Sequence, residues 1–249
     1  MGSSVWACER AGGHHGVSVS MAVPDGAVSD GKFSVALRDN LGMSAPALIL
    51  ASTSRYRREL LERLQLPFEA VAPGVDEAPL PHEAPAALAQ RLALAKAQAV
   101  AAQHPGAVVI GSDQVADLAG QAIGKPHTHE RAVQQLRAMS GQSVVFQTAV
   151  AVVRRDAGVA EVRLSPVVVR FRELQDEEIE HYLRREQPYD CAGSAKSEGL
   201  GITLLRSVES TDPTALIGLP LTTVCELIRL AGLDPLRGGL NGSALYAAR

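Results

Sequence analysis

The sequence predicts an α/β fold, and three observations carry that prediction. Short apolar runs at 47–51 and 68–72 and a longer one at 107–118 read as strands. Stretches with apolar residues at 3.6-residue spacing lie between them, so strands and helices alternate along the chain. With 46 % of its 249 residues apolar, the chain can bury a sizeable core in one or two domains.

Residues 1–43 are rich in Gly, Ser, Ala and His and keep no period of 2 or 3.6. They are expected to be a disordered extension or an upstream start, with Met43 as an alternative initiator. His14 and His15 have no third ligand nearby and are read as part of that extension, not as a metal site. The folded domain is expected over 44–237, with 238–249 a loose Gly-containing tail.

The run at 47–51 is a buried strand, followed by Ser52, Thr53 and Ser54. Arg55, Arg57 and Arg58 then fall in the first turn of a helix reaching about residue 65, with Tyr56, Leu60, Leu61 and Leu64 on one face. A helix N-terminus carries partial positive charge and prefers acids. Arginines there point to a bound anion, held by backbone N–H groups, hydroxyls and guanidinium forks. The plainer alternative is a solvated basic turn with Ser54 as an ordinary N-cap. Pro67 separates this helix from the strand at 68–72. Asp76 and Glu77 follow on a loop after a Pro-Gly turn, either simply solvated or at the strand end where hard-cation sites are assembled. Residues 84–103 form an Ala-rich amphipathic helix with Leu88, Leu92, Ala95 and Ala99 as its buried stripe. Lys96 lies at the edge of that stripe, and either snorkels or is aimed into a cleft.

The strand at 107–118 opens as a continuous apolar run, which suits a central position in the sheet. Gly111-Ser112-Asp113-Gln114 interrupts it, implying a bulge or a close backbone approach with Asp113 projecting at a functional edge. An acid at the end of a buried strand is costly unless it serves a cation, a metal or proton transfer, so Asp113 is assigned such a role. A hairpin turn at 119–121 leads to Lys125, held between Gly124 and Pro126 on a stiff loop suited to a phosphate. Thr128 caps a helix over 130–139 with Val133, Leu136 and Met139 buried, ended by Ser140-Gly141. Two long strands, 144–154 and 161–172, are joined around 156–158, and 176–185 is a helix whose charges match its dipole. Residues 191–201 form a Gly- and Ser-rich loop with Lys196 and Glu198, either a binding loop or a flexible connection. Asp212-Pro213 starts a turn, and Gly218-Leu219-Pro220 opens a last helix over 221–231.

A net charge of −3 gives no global field for nucleic acid or acidic membranes, so anion binding must be local. Cys8, Cys191 and Cys225 are too scattered for a disulfide framework or zinc cluster and suit a reducing interior. No apolar run approaches the roughly 18–20 residues of a membrane span. The N-terminus lacks the order of a secretory signal, and a cytoplasmic protein is expected.

Taken together, LILASTSRYRRELL, PGVDE, the helical Lys96, GSDQV, GKP, QLRAMSGQ, CAGSAKSEGLGI and DPTALIGLPL resemble, in unbroken order over about 47–237, the Maf family of nucleoside triphosphate pyrophosphatases. The resemblance implies a fold like that of the Maf and inosine triphosphatase proteins, a curved mixed sheet flanked by helices with a cleft between two lobes. It implies hydrolysis between the α- and β-phosphates with a divalent cation, Mg²⁺ or Mn²⁺, and a homodimer is common in the family. Asp113 matches the family's proton acceptor. Ser52, Arg57, Lys96 and Lys125 match residues lining its triphosphate site, and Glu77 matches an acid near the metal. Gln114 and Glu198, with an aromatic at Tyr56, are similar to the branch acting on 7-methyl-GTP; the branch acting on dTTP and UTP usually has Thr and Gln in the first two places. Arg55 departs from the pattern, standing where the family usually has Pro. Rival readings are a pyrophosphatase for dTTP, UTP or another non-standard nucleotide, and a nucleotide-binding regulator of septum formation without turnover.

Overall fold

The structure is a computed structural model and describes residues 45–237. The extension expected over 1–43, with His14 and His15, and the tail expected over 238–249 lie outside the described residues. The architecture is α/β. Strand β1 (Leu48–Leu50) leads into helix α1 (Arg55–Glu62), then β2 (Phe68–Ala70) and α2 (Pro85–Ala101). Next come β3 (Val108–Leu118), β4 (Gln121–Ile123), α3 (His129–Met139), β5 (Ser143–Arg154), β6 (Val159–Phe171) and α4 (Asp176–Glu186). Strand β7 (Leu205–Ser210) and α5 (Leu221–Leu230) complete the order. The strands form one mixed sheet in the order β2-β1-β3-β5-β6-β7, with β4 paired to β3. The first three run parallel and the rest antiparallel.

Side chains on a strand alternate between faces, so β3 serves two cores. Val108 and Ile110 meet α1 and α5 through Leu60, Leu61, Val224 and Leu227. Val109 and Val115 face the other way, onto Leu88, Leu92, Ala93 and Ala97 of α2. Farther along the sheet, α3 and α4 cover Phe146, Val167 and Phe171 with Leu136, Met139, Ile179 and Leu183. Among the described residues no helix is long and apolar enough to cross a membrane.

Three departures from expectation have simple causes. Helix α1 closes early because Arg63, Leu64 and Gln65 turn their N–H groups to carbonyls three residues back, and Gln65 takes a positive φ of 54°. The buried stripe of α2 is not centred on Ala95 and Ala99, which are only half-buried; it runs through Leu88, Ala89, Leu92, Ala93, Lys96, Ala97 and Val100. In an Ala-rich helix, composition barely marks which face is inside. Strand β7 has no counterpart in the sequence reading: LRSVES is an edge strand with mostly exposed residues, so neither an apolar run nor a clean alternation reveals it.

The sheet also contains a notch. Leu50, the last residue of β1, pairs with Ile110, and β4 first meets β3 at Ala116. Between those points, residues 111–115 have a strand neighbour on the β5 side alone.

Candidate active site

The notch is where the candidate site residues gather. The β3–β5 register is unbroken from Val109 to Asp117, so Gly111 marks no bulge. It marks a close approach instead: a Cβ there would stand 2.2 Å from Ala93 O and 2.7 Å from Ala97 N of α2. Strand alternation then sorts the next residues. Gly111 and Asp113 face α2, while Ser112 and Gln114 face the segment before α5.

On the α2 face, Asp113 is buried with 8 % of its surface exposed, and Lys96 with 4 %. Lys96 Nζ donates to Asp113 Oδ1 at 2.8 Å and to Glu77 Oε1 at 2.8 Å. Lys96 is therefore not a snorkelling edge residue. It sits mid-stripe, and the two carboxylates make its burial tolerable. Burial alone would raise the Glu77 carboxyl, but the hydrogen bond and charge of Lys96, with Lys125 and Arg57, hold it below the usual carboxylate range. Asp76 does not join them; it is exposed and accepts from Ala78 N on the loop.

The arginines of α1 separate by position. Arg57 turns into the cleft, where Nε donates to Gly218 O at 2.9 Å and Nη1 to Ser52 Oγ at 3.5 Å. Its pKa is lowered by burial, against the pull of Asp113 and Glu77. Arg58 is exposed and lines neither cavity described below. Ser54 caps α1 by accepting from Arg57 N, and Ser52 Oγ accepts from Ser54 N at 3.1 Å. The loop carrying Lys125 is anchored: Gly124 O accepts from Gly193 N and Gln135 Nε2, and Pro126 is buried.

Two adjoining cavities of about 330 Å³ each result. The first is lined by Ser52, Arg57, Glu77, Lys96, Asp113 and Lys125. The second shares Arg57, Gln114 and Lys125 with it and adds Tyr56, Cys191 and Glu198. Arg55 reaches this second cavity, its guanidinium carbon 5.0 Å from the Tyr56 ring centre, and Lys196 Nζ stands 6.0 Å from the same ring. Burial, with Cys191 and Asp190 nearby, raises the Tyr56 phenol, and burial and Asp190 push the Cys191 thiol to about 12. The loop bearing Glu198 is shaped by α4. Glu186 takes Lys196 Nζ at 2.6 Å and Leu200 N at 2.7 Å, and Tyr182 Oη accepts from Lys196 N. Short 3₁₀ turns at Ala192–Ser194 and Leu200–Leu204 give that loop regular structure.

Gln114 has a fixed orientation. Its Nε2 lies 2.9 Å from Thr148 Oγ1, 3.0 Å from Ala215 O and 2.9 Å from Leu216 O. Both carbonyls are acceptors only, and Thr148 Oγ1 gives its own proton to Ala215 O, so the nitrogen must face them. The Gln114 side-chain oxygen has no partner among the described residues. The structure thus brings Ser52, Tyr56, Arg57, Glu77, Lys96, Asp113, Gln114, Lys125 and Glu198 to one cleft and leaves Asp76 and Arg58 out of it. Asp212, Thr148 and Glu186, which fix that cleft, have no motif-like signal in the sequence beyond DPT and the alternation of β5.

Comparison with known proteins bears on what this cleft is. The profile of the Maf-like protein family matches residues 47–231. A protein named 7-methyl-GTP pyrophosphatase from a Polaromonas species is 67 % identical over 186 residues, which is 75 % of this chain and 85 % of that protein. Proteins of the same name from Albidiferax ferrireducens and Bordetella pertussis are 62 % and 58 % identical, over 76 % and 78 % of this chain and 95 % and 96 % of theirs. The chain belongs to the Maf-like protein family.

Proposed function

We propose that this protein hydrolyses the bond between the α- and β-phosphates of 7-methyl-GTP, releasing the nucleoside monophosphate and pyrophosphate. The observation that carries the reading is Asp113 and Glu77 held on one ammonium, Lys96, in a cavity that also contains Arg57 and Lys125. The relatives named above add the identity of the base. A triphosphate needs several cations, and Arg57 leaves three of its five N–H donors without a protein acceptor among the described residues. Lys96 has three donors and spends two on carboxylates, so one remains for a phosphate oxygen. Ser52 and the N–H groups opening α1 complete the cradle. Asp113, within the same cavity, orients the attacking water and takes its proton.

A divalent cation fits the donors present. Among the described residues no group of three His, Cys, Asp or Glu is poised to hold a metal. Mg²⁺ and Mn²⁺ carried on a nucleotide ask for only one or two carboxylates, the rest of their shell being water and phosphate oxygen. Glu77 would hold it, and it would neutralise charge on the phosphates.

The second cavity suits a cationic purine. N7-methylation leaves guanine positively charged with N–H donors on its Watson–Crick edge, and the Gln114 oxygen and Glu198 carboxylate are acceptors. Tyr56 provides an aromatic face for the charge. The test is pyrophosphate release with Mg²⁺ or Mn²⁺ from 7-methyl-GTP, GTP, dTTP and UTP by wild type, Asp113→Asn and Glu198→Gln. Preferred turnover of 7-methyl-GTP, lost by about 10²–10⁴-fold in Asp113→Asn, is expected. In Glu198→Gln the preference should shrink. Preferred turnover of dTTP or UTP would refute the base assignment, and tight binding without turnover would refute hydrolysis.

A further inference from the structure

The segment between β7 and α5 holds residues of the cleft through its main-chain carbonyls. Ala215 O and Leu216 O receive Gln114, and Gly218 O receives both Arg57 Nε at 2.9 Å and Ser112 Oγ at 2.9 Å. Gly218 takes a φ of 116°, which a side chain would resist, and this turns the segment back toward α5. One short loop therefore orients both a phosphate-side cation and a base-side amide, so whatever sets the loop sets both.

That setting falls to Asp212, which is 2 % exposed. Its Oδ1 accepts from Thr214 N at 2.8 Å and Thr214 Oγ1 at 2.7 Å. Its Oδ2 accepts from Thr222 N at 2.8 Å and from Thr222 Oγ1, ten residues on in the first turn of α5. Thr214 Oγ1 in turn lies 2.8 Å from Leu219 O and accepts from Leu221 N at 2.8 Å. No Lys or Arg pairs with Asp212 among the described residues, so its burial is balanced by these donors. Burial would push the carboxyl up, and the Thr222 and Thr214 donors hold it below the ordinary range. Two acceptor oxygens, each facing one end of the loop, are what this closure requires. An amide offers only one.

We propose that Asp212 is a positioning residue, a clasp on the loop 212–222 that sets Arg57 and Gln114 through the carbonyls of Ala215, Leu216 and Gly218. The inference rests on the reading of Arg57 and Gln114 given above. Its test is a double-mutant cycle on the full chain with Asp212→Asn and the milder Thr222→Val, each in wild-type and Gln114→Ala backgrounds. The readouts are kcat/KM for 7-methyl-GTP and GTP and the melting temperature. Asp212→Asn should lower kcat/KM for 7-methyl-GTP by about 10- to 100-fold, the scale of a misplaced binding group. It should also narrow the discrimination against GTP. In the Gln114→Ala background that narrowing should vanish, because the residue through which the clasp acts on the base is gone. Thr222→Val should move discrimination the same way by a smaller factor with melting little changed, and it decides the matter if Asp212→Asn does not fold. Discrimination unchanged in Thr222→Val, or discrimination losses that simply multiply in the double variants, would overturn the clasp while leaving the nucleotide reading standing. A wild type that turns over no nucleotide would overturn both.

Discussion

Gly111→Ala tests the contact on which the proposed catalytic geometry depends. The added methyl would lie 2.2 Å from Ala93 O, 2.7 Å from Ala97 N and 3.0 Å from Ala97 Cβ. Two of these are backbone atoms of a helix and cannot swing aside. Ordinary contact begins at 3.4 Å, so α2 must retreat from β3 by about 1 Å in a core packed to crystal density. Overpacking of this kind costs about 1–3 kcal/mol, and each kcal/mol lowers Tm by about 2–4 °C for a domain of this size. The functional cost follows from the same movement. Lys96 rides on α2 three residues beyond Ala93, and Asp113 lies two residues beyond Gly111, with 2.8 Å between their polar atoms. Opening that distance by about 1 Å takes it out of hydrogen-bond range. At an effective dielectric of about 20 the attraction then weakens by about 1.5 kcal/mol. Turnover of 7-methyl-GTP should fall by about 10- to 100-fold. Differential scanning calorimetry and pyrophosphate release measure the two effects, with Gly106→Ala as control, since its Cβ would meet only Asp156 Oδ2 at 3.7 Å. A Gly111→Ala protein that melts with wild type and keeps its turnover would refute the argument, because α2 would then not be seated on β3 at this glycine.

Two further outcomes are expected. Lys96→Met leaves Asp113 and Glu77 facing each other without the ammonium between them; removing one partner of a buried pair costs about 3–5 kcal/mol, so both Tm and turnover should drop, and unchanged turnover would remove Lys96 from the site. Glu83, bonded to Arg91 at 2.6 and 2.8 Å and to Leu80 N at 3.0 Å, has its carboxyl lowered from 4.5 to about 2, chiefly by Arg91. A depressed folded-state value gives stability that is present above pH 4.5 and lost as pH falls through about 2. The acid side of a Tm–pH profile should therefore be flatter in Glu83→Gln, and identical slopes would count against the pairing.

Much of this molecule is readable from sequence because its signals are local. Period-2 and period-3.6 patterns locate the long strands and the capped helices, and Thr128 caps α3 where its position before an apolar stripe suggests. Gly-Ser-Asp-Gln on a buried strand announces both the close approach and a buried acid. What escapes is non-local. Lys96 reads ambiguously because alanine marks no face of α2, and only the fold decides between solvent and cleft. The orientation of Gln114 depends on carbonyls more than a hundred residues away. Main-chain acceptors carry no sequence signature, so the loop before α5 is legible as a turn and illegible as a support. Strand β7 is polar and peripheral, and only its pairing with β6 makes it a strand.

The gap in the sheet between β1 and β4 has a further consequence, for self-association. A row of open main-chain donors and acceptors ordinarily invites another polypeptide to add a strand. Ile110 O takes Ala51 N, so by alternation Ser112 and Gln114 turn their own N–H and C=O groups to that open side. The opening spans only residues 111–115, about 16 Å of extended chain. It is closed at one end by the turn leaving β1 and at the other by the β3–β4 hairpin. Arg57, Lys96 and Lys125 stand around it. A foreign strand would have to bend into a short, cationic slot with no exit, whereas a small anion enters from the side. The fold thereby offers backbone polarity to a solute while denying it to other chains, and escapes the aggregation hazard of an unpaired edge by keeping that edge short and walled.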